Sequence, residues 1–518
     1  MFFVKIKIWL DKYILIIGLI ISTIISVSAT IYYFNLHLTV EYSDAASHLD
    51  IARRVTDSLT PGIVQVGAAW LPLLHILEIP LSANYILWHT GLSGTIVSMV
   101  CFLFSALGTF KLIEYVTDNR SAAFIGMLAL VTNANLIYLQ TSAMFEPVLI
   151  VTLIWSTYYY VKWFREEKLL DLLLCAFFVM LATMTRYDGW FLFFVILCLT
   201  FGIVYKKYGY KAAEGKVILY GTAASIGIVL WLLYNKVIFG SMTYFLNGPY
   251  SAGAQQILLY QDHKLPTKWN ILLSIITYTL AGVNVEGVVV MTLLFVGIVM
   301  LAINKRVPIA AKIAMVVIIS PYIFNILSLF FGQSVIWIPQ LPPYNQLFFN
   351  IRYGVFLLPA AAFAIGMLAS FSKYIKYSLF FIIIIQAVLF YWYNSTFPSN
   401  NGVVTLRDAR DSYANKNLTI ASWLHNNCND KYILMSAGGN DPIMFHSGID
   451  LRYYISEGTG KYWHESMIHP AKYAQCVVYG KGSLDRVYIE LKNYTELYAD
   501  FDLKKTISGT YLYVRKKT

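Results

Sequence analysis

Two acidic residues stand apart in a chain in which only 13% of residues are charged: Asp44, in Glu41-Tyr42-Ser43-Asp44-Ala45-Ala46, and Glu146, in Met144-Phe145-Glu146-Pro147. A carboxylate beside a bilayer loses solvation, so it ordinarily has a partner or a task. Two carboxylates facing one cavity supply a general base and a positioning group. They also suit a hard divalent cation, although two oxygen ligands are too few to require one. Each has a plainer explanation. Ser43-Asp44 before a helical stretch is an N-cap pattern, and Glu146 before Pro147 is a helix start. Cations complement the acids. Arg186 lies in Arg186-Tyr187-Asp188-Gly189-Trp190, and Arg352 precedes Tyr353. Arginine forks bind phosphate oxygens bidentately, which suits a lipid phosphate at the membrane surface. Arg53 and Arg54 are further candidates for that phosphate, with Asp50 and Asp57 as competing partners. Tyr187, Asp188, Tyr353 and Trp70 are the polar and aromatic groups that could position a substrate around these charges, while Tyr187 and Trp190 also fit an interfacial aromatic belt.

The elements that must hold these residues are membrane helices. The chain has 518 residues, 58% of them hydrophobic, well outside the balance of a soluble domain. Apolar runs near the roughly 20 residues needed to span a bilayer recur along it. They predict a mainly α, polytopic membrane protein of about eleven spans. Tyr85–Phe110, Ser121–Ile137, Val148–Trp163 and Leu169–Met184 are among them, and Ile271–Leu280 is a shorter piece that is interfacial or a twelfth span. No small-residue cleavage site follows the first run, so it is expected to be a retained helix. With the N-terminus in the cytoplasm, seventeen Lys and Arg before residue 403 fall inside. Seven fall outside: Arg53, Arg54, Arg186, Lys236, Lys264, Lys268 and Arg352. This is the positive-inside asymmetry. It accounts for most of the net charge of +11 and removes the reason to expect a nucleic-acid partner.

Two outer loops are long, 35–84 and 240–269. The first contains an amphipathic stretch, Ala45–Leu59, suited to a helix lying on the membrane surface. The second has the length of a substrate lid or of an inert mobile loop. Residues 1–400 are expected to form the membrane domain. Residues 401–518 are polar and punctuated by Gly and Asn, and predict a small extracytoplasmic α/β domain with a helix over Tyr413–Asn427. Its strands are expected at Lys431–Ala437, Cys476–Tyr479 and Tyr511–Val514. Cys428 and Cys476 in this tail are chemically able to pair, but sequence cannot say whether they do.

Together these residues resemble the GT-C superfamily of membrane glycosyltransferases, nearest to protein O-mannosyltransferases and lipid A aminoarabinose transferases. The likeness rests on Asp44 in a long first outer loop, Gly67…Trp70-Leu71-Pro72-Leu73, and Glu146-Pro147. Thr185-Arg186-Tyr187-Asp188-Gly189-Trp190 and Arg352-Tyr353 followed by Leu357-Leu358-Pro359 complete it. It spans about the first 400 residues. One departure is that many relatives carry two adjacent acids in the first loop, whereas Ala45 follows Asp44 here. The resemblance implies a sugar donor on a polyprenyl phosphate and an acceptor hydroxyl on protein, lipid or glycan. Asp44 would be the base, and Glu146 would position the acceptor, orient an arginine or share a divalent cation with Asp44. Arg186 and Arg352 would steady the departing phosphate, and the anomeric carbon would invert. No cofactor is required by this scheme. The competing class, a transporter or lipid flippase, predicts ionisable residues deep inside the spans, where the sequence has few.

Overall fold

The computed structural model describes residues 2–516, apart from 69, 249–250, 344–346, 397–402, 413–414 and 483–484. The composition break near residue 400 therefore lies outside the described residues. The chain is a helical bundle with one small sheet near its C-terminus. Among the described residues, seven helices are long and apolar enough to cross a membrane. The bent pair Ile271–Glu286 and Val288–Ile303 would make an eighth.

About eleven spans are expected from the sequence, and the apolar runs that fall outside this set by length or composition do so for local reasons. The run Ser121–Ile137 is broken, because Asn133 caps a new helix, Ala134–Leu139, by accepting the Asn135 and Leu136 N–H groups. What precedes it, Arg120–Val131, has only 12 residues, and Leu169–Thr183 has 15, both short for a bilayer core of about 30 Å. Phe145–Glu166 is long enough at 22 residues, but Ser156-Thr157-Tyr158-Tyr159-Tyr160 dilutes its apolar character. Tyr85–Phe110 is interrupted at Gly91 (φ 78°), so the long helix runs over Leu92–Thr117. The bend of 119° between Ile271–Glu286 and Val288–Ile303 pivots on Gly287 at φ +87°. A Cβ there would come within 2.7 Å of the Phe390 ring, so only glycine fits.

Burial locates the centre of the bundle. The window of Ile351–Phe371 is 89% buried, against 22% for Lys12–Asn35 at the periphery. Every residue from Leu358 to Ala369 is enclosed by neighbouring helices. Arg352 is thus carried at the start of the most enclosed helix, on the 3₁₀ turn Ile351–Leu357.

The Ser43–Arg54 helix forms because Ala45, Ala46, Leu49 and Ala52 recur at helical spacing, and all four are fully buried. It does not lie open on a membrane surface. It packs between the Leu73–Ser82 helix on one side and the Asp441–Ser447 helix on the other. The sheet has five strands, β1 (Ile433–Met435), β2 (Tyr454–Ile455), β3 (Cys476–Gly480), β4 (Phe501–Ile507) and β5 (Thr510–Arg515), in the order β2-β1-β3-β5-β4. β1 runs parallel to β2 and β3, and β5 is antiparallel to β3 and β4. Cys428 and Cys476 form a disulfide joining the end of the Asn415–Cys428 helix to β3. In the second long loop, Ala252–Gln261 is a helix with no buried residue.

Candidate active site

Four separate segments converge on one guanidinium. Arg352, 6% exposed, directs Nη2 to Asp44 Oδ2 at 2.5 Å and Nε to Glu146 Oε1 at 3.2 Å, with Nη1 lying 3.9 Å from Asp408 Oδ2. Its plane sits 4.8 Å from the Tyr42 ring centre and 5.3 Å from that of Tyr353. Neither acid serves as a helix cap. The cap positions are Tyr42 and Met144, and neither makes a side-chain cap bond. Asp44 and Glu146 occupy the first turns of their helices, where the positive end of the helix dipole favours a carboxylate. Pro147 is tolerated beside Glu146 because a first-turn residue has no intrahelical N–H bond to lose.

The two acids differ in exposure, and the difference decides their chemistry. The Asp44 side chain is 37% exposed and that of Glu146 only 1%. Asp44 can meet a substrate directly. Glu146 is enclosed, and its Oε2 is buried without a hydrogen-bond partner.

Arg186 completes the cluster from the other side of Tyr353, with its guanidinium 4.3 Å from that ring centre and 4.9 Å from that of Phe356. Its Nε binds Asp188 Oδ2 at 3.1 Å. Asp188 is held in turn by Asn325 Nδ2, which donates to Oδ1 at 2.8 Å. Asp188 therefore orients an arginine. Tyr187 points elsewhere, into an aromatic cluster with Trp190 and Phe245 beneath the second loop. Trp70 packs edge-on to His48, with ring centres 4.6 Å apart.

Arg53 and Arg54, expected as phosphate ligands, have other duties. Arg53 binds Asp57 at 3.0 Å and donates to the Ser82 and Ala83 carbonyls. Arg54 binds Asp441 at 2.8 Å. Both fasten the first loop, Arg53 mainly within itself with a longer contact to Asp450 at 3.7 Å, and Arg54 to the C-terminal part of the chain. Arg352 also differs from expectation, since its nitrogens already face carboxylates. Its guanidinium stands between Asp44 and Glu146 and brings the positive charge a divalent ion would supply. Among the described residues, no group of three or more His, Cys, Asp or Glu could hold a metal. As arranged, the two acids do not fit a shared ion.

Two participants escaped sequence reasoning. His48 lies one turn beyond Asp44, on the same face of the helix, and its Nδ1 is 3.0 Å from His75 Nε2. Burial, then the charges of Arg352 and Arg186, lower its pKa to about 3, so the imidazole is neutral. The i, i+4 spacing from Asp44 was the available signal. Asp408 is fully buried and accepts from Tyr42 Oη at 3.1 Å and Asn350 N at 3.1 Å. Burial raises its pKa to about 6 against the opposing pull of Arg352 and Tyr42. Its only hint in sequence was the charge run Arg407-Asp408-Ala409-Arg410-Asp411 just past the last apolar span.

No family model and no curated protein matches the chain. Among solved structures, ArnT from Cupriavidus metallidurans bound to undecaprenyl phosphate superposes with a TM-score of 0.54. The identity is 10%, over 95% of this chain and 98% of that one. Apo ArnT from the same organism gives 0.51 at 10% identity, over 94% and 96%. The chain shares the backbone fold of ArnT. A looser likeness, with a TM-score of 0.45 at 12% identity, links it to an oligosaccharyltransferase of Archaeoglobus fulgidus, over 96% of this chain and 73% of that one. At such identities the likeness concerns the path of the backbone, and what the site does must be argued from its own residues.

Proposed function

We propose that this chain is an integral-membrane glycosyltransferase that moves a sugar from a polyprenyl-phosphate donor to an acceptor hydroxyl at the outer face of the membrane. The observation that carries the reading is one cluster. A partly exposed carboxylate, Asp44, and a second arginine, Arg186, flank the Arg352–Tyr353 pair in a chain of GT-C fold. The polyprenyl phosphate bound to ArnT supports the choice of donor class. The positive-inside count supports a cytoplasmic N-terminus, an extracytoplasmic tail and a division near residue 400 into membrane and outer domains.

In the reaction, the acceptor oxygen attacks the anomeric carbon as its proton passes to Asp44. The bond from that carbon to the phosphate oxygen breaks, and the electron pair leaves with polyprenyl phosphate. A positioned general base contributes about 10²–10⁴ in rate. The anomeric carbon passes through an oxocarbenium-like state and inverts. Arg186 meets the charge growing on the phosphate with preorganised donors. Arg352 and Glu146 hold Asp44 in place, and neutral His48 lines the same side without adding charge. Transport is the poorer reading, because these ionisable groups are gathered at one site instead of being strung along a path.

The test is turnover by the purified chain in lipid nanodiscs, supplied with polyprenyl-phosphate sugars and membrane-extracted acceptors. Release of polyprenyl phosphate together with a glycosylated acceptor is expected. Binding of donor without release under any acceptor would sink the proposal.

A further inference from the structure

Val404–Ser412 is a nine-residue helix beyond the last apolar span. Its Asp408 and Asp411, three residues apart, share a face. Each accepts a backbone N–H from the segment that leads into Arg352. Asp411 Oδ2 takes that of Phe348 at 3.0 Å, and Asp408 Oδ1 takes that of Asn350 at 3.1 Å. Asn350 sits at φ +54°, in the left-handed region, a conformation that needs outside support in a residue with a side chain. The other oxygen of Asp408 accepts the Tyr42 hydroxyl at 3.1 Å. Tyr42 immediately precedes the helix bearing Asp44, and its ring lies under the Arg352 guanidinium. One buried carboxylate thus bonds both to the irregular segment leading into Arg352 and to the turn ahead of Asp44. The helix is pinned from further sides. Thr405 N and Oγ1 both donate to Asn135 Oδ1 at 3.0 Å, and Arg410 pairs with Glu41 at 3.5 Å.

We propose that Asp408 is a positioning residue that sets Arg352 against Asp44, which makes the Val404–Ser412 helix of the C-terminal segment part of the catalytic assembly. The inference rests on the reading of Asp44 as the base. A carboxylate suits the task because each of its two oxygens accepts from a different segment. Asparagine has the same size but only one accepting oxygen and no charge: with Oδ1 kept for Asn350 N–H, its NH₂ can meet Tyr42 Oη only as a donor, which reverses that bond and removes the charged acceptor.

The experiment compares D408N, Y42F and the double variant in the full-length chain. D408N is expected to lower kcat about ten- to hundredfold, the scale of one lost hydrogen bond to a charged acceptor, with donor KM near wild type. Y42F removes only the hydroxyl and is expected to give a smaller fall in the same parameter. The double variant should fall no further than D408N, because the two residues act through one bond. Cryo-electron microscopy of D408N should show the Arg352–Asp44 contact opened. Wild-type kcat in folded D408N, or effects that multiply in the double variant, would overturn the proposal. Should the wild-type chain transfer no sugar, the functional reading falls, and the Arg352–Asp44 distance in D408N alone still decides the positioning role. An unchanged distance overturns it.

Discussion

Replacing Asp44 by asparagine separates catalysis from stability in a way the geometry makes quantitative. The side chain is 37% exposed, so its ion pair with Arg352 is well screened and contributes about 0–1 kcal/mol to folding. Arg352 is not orphaned by the change, since Glu146 remains at 3.2 Å and Asp408 at 3.9 Å. Loss of a general base, by contrast, removes about 10²–10⁴ in rate, or about 3–5 kcal/mol of barrier. Asp44→Asn should therefore leave thermal unfolding within a few degrees of wild type while turnover collapses. Donor KM should stay close to wild type, because the phosphate contacts we propose lie on the Arg186 side. Glu146→Gln supplies the contrast. The Glu146 charge, at 1% exposure, is hardly screened, and losing a buried charge-assisted hydrogen bond costs about 1.5–3 kcal/mol even though Asp44 still pairs with Arg352. That variant should lose stability and activity together. The assay is single-turnover release of polyprenyl phosphate from radiolabelled donor in nanodiscs, beside fluorescence-monitored unfolding of the same preparations. Asp44→Asn that keeps more than about a tenth of wild-type turnover, less than the smallest loss expected for a removed base, would refute the assignment. So would a destabilisation equal to that of Glu146→Gln.

Four further outcomes are expected. Arg186→Ala should lower kcat by about 10²–10³, the loss typical of one preorganised charge-stabilising donor. Arg186→Lys should recover little of it, because one ammonium cannot both hold Asp188 and present a fork, and steady-state kinetics of the two variants will tell. Gly354→Ala would set a Cβ 2.6 Å from the Ala281 carbonyl oxygen, and overpacking of this kind costs about 1–3 kcal/mol. Its unfolding temperature should fall, and turnover with it, since Tyr353 and Arg352 adjoin the displaced backbone. Replacing Cys428 and Cys476 by alanine opens a loop of 48 residues, for which chain-entropy arguments give about 4 kcal/mol. Thermal unfolding with and without reductant should show the loss in wild type and none in the double variant. His48, buried and neutral with its pKa lowered to about 3, binds protons less readily folded than unfolded. Its stabilising contribution is complete above its unfolded pKa near 6.5 and is lost as pH falls toward 3. His48→Gln should flatten the acid side of the stability profile between those limits.

The membrane class was legible because burial in lipid demands apolar side chains on every face, a signal that survives any packing detail. Breaks inside apolar runs were not, because a single polar cap such as Asn133, or one left-handed glycine such as Gly91, barely alters average hydropathy. In the tail, β1, β3 and β5 were foreseen from buried apolar triplets. β2 was missed because it has two residues, and β4 because Lys504 and Lys505 mark a charged edge strand that composition cannot tell from a loop. At the site, Asp44, Glu146, Arg186 and Arg352 stood out as charges in apolar surroundings, and the fold brings all four around Tyr353 and Tyr42. Arg53 and Arg54 stood out for the same reason and were misjudged. For Arg53 the competing partner Asp57, four residues on, is the one found at 3.0 Å, whereas the partner of Arg54, Asp441, lies almost 400 residues away and no local pattern announces it. Asp408 escaped for the mirror reason. It lies in a segment whose charges suggested solvent, yet it is fully buried against the first loop.

In the proposed reaction the two arginines divide the work, and their division bears on stereochemistry. Arg352 faces three carboxylates, so its surroundings are net negative, and a phosphate seated there would be repelled by Asp44, Glu146 and Asp408 together. Arg186 commits Nε to one carboxylate, Asp188, and otherwise rests on the rings of Tyr353 and Phe356. In the proposed reaction, departing phosphate therefore belongs on the Arg186 side of Tyr353, and the proposed base, Asp44, on the Arg352 side. A displacement that inverts the anomeric carbon needs nucleophile and leaving group on opposite faces of the sugar. A retaining enzyme would need instead a carboxylate poised to bond that carbon from the face away from the phosphate, with a second group to handle the proton. Asp44 is the exposed acid on its side, while Glu146 is enclosed behind Arg352. One reachable carboxylate, set across an aromatic ring from the arginine proposed to meet the phosphate, matches the single displacement of the proposed reaction better than a double one.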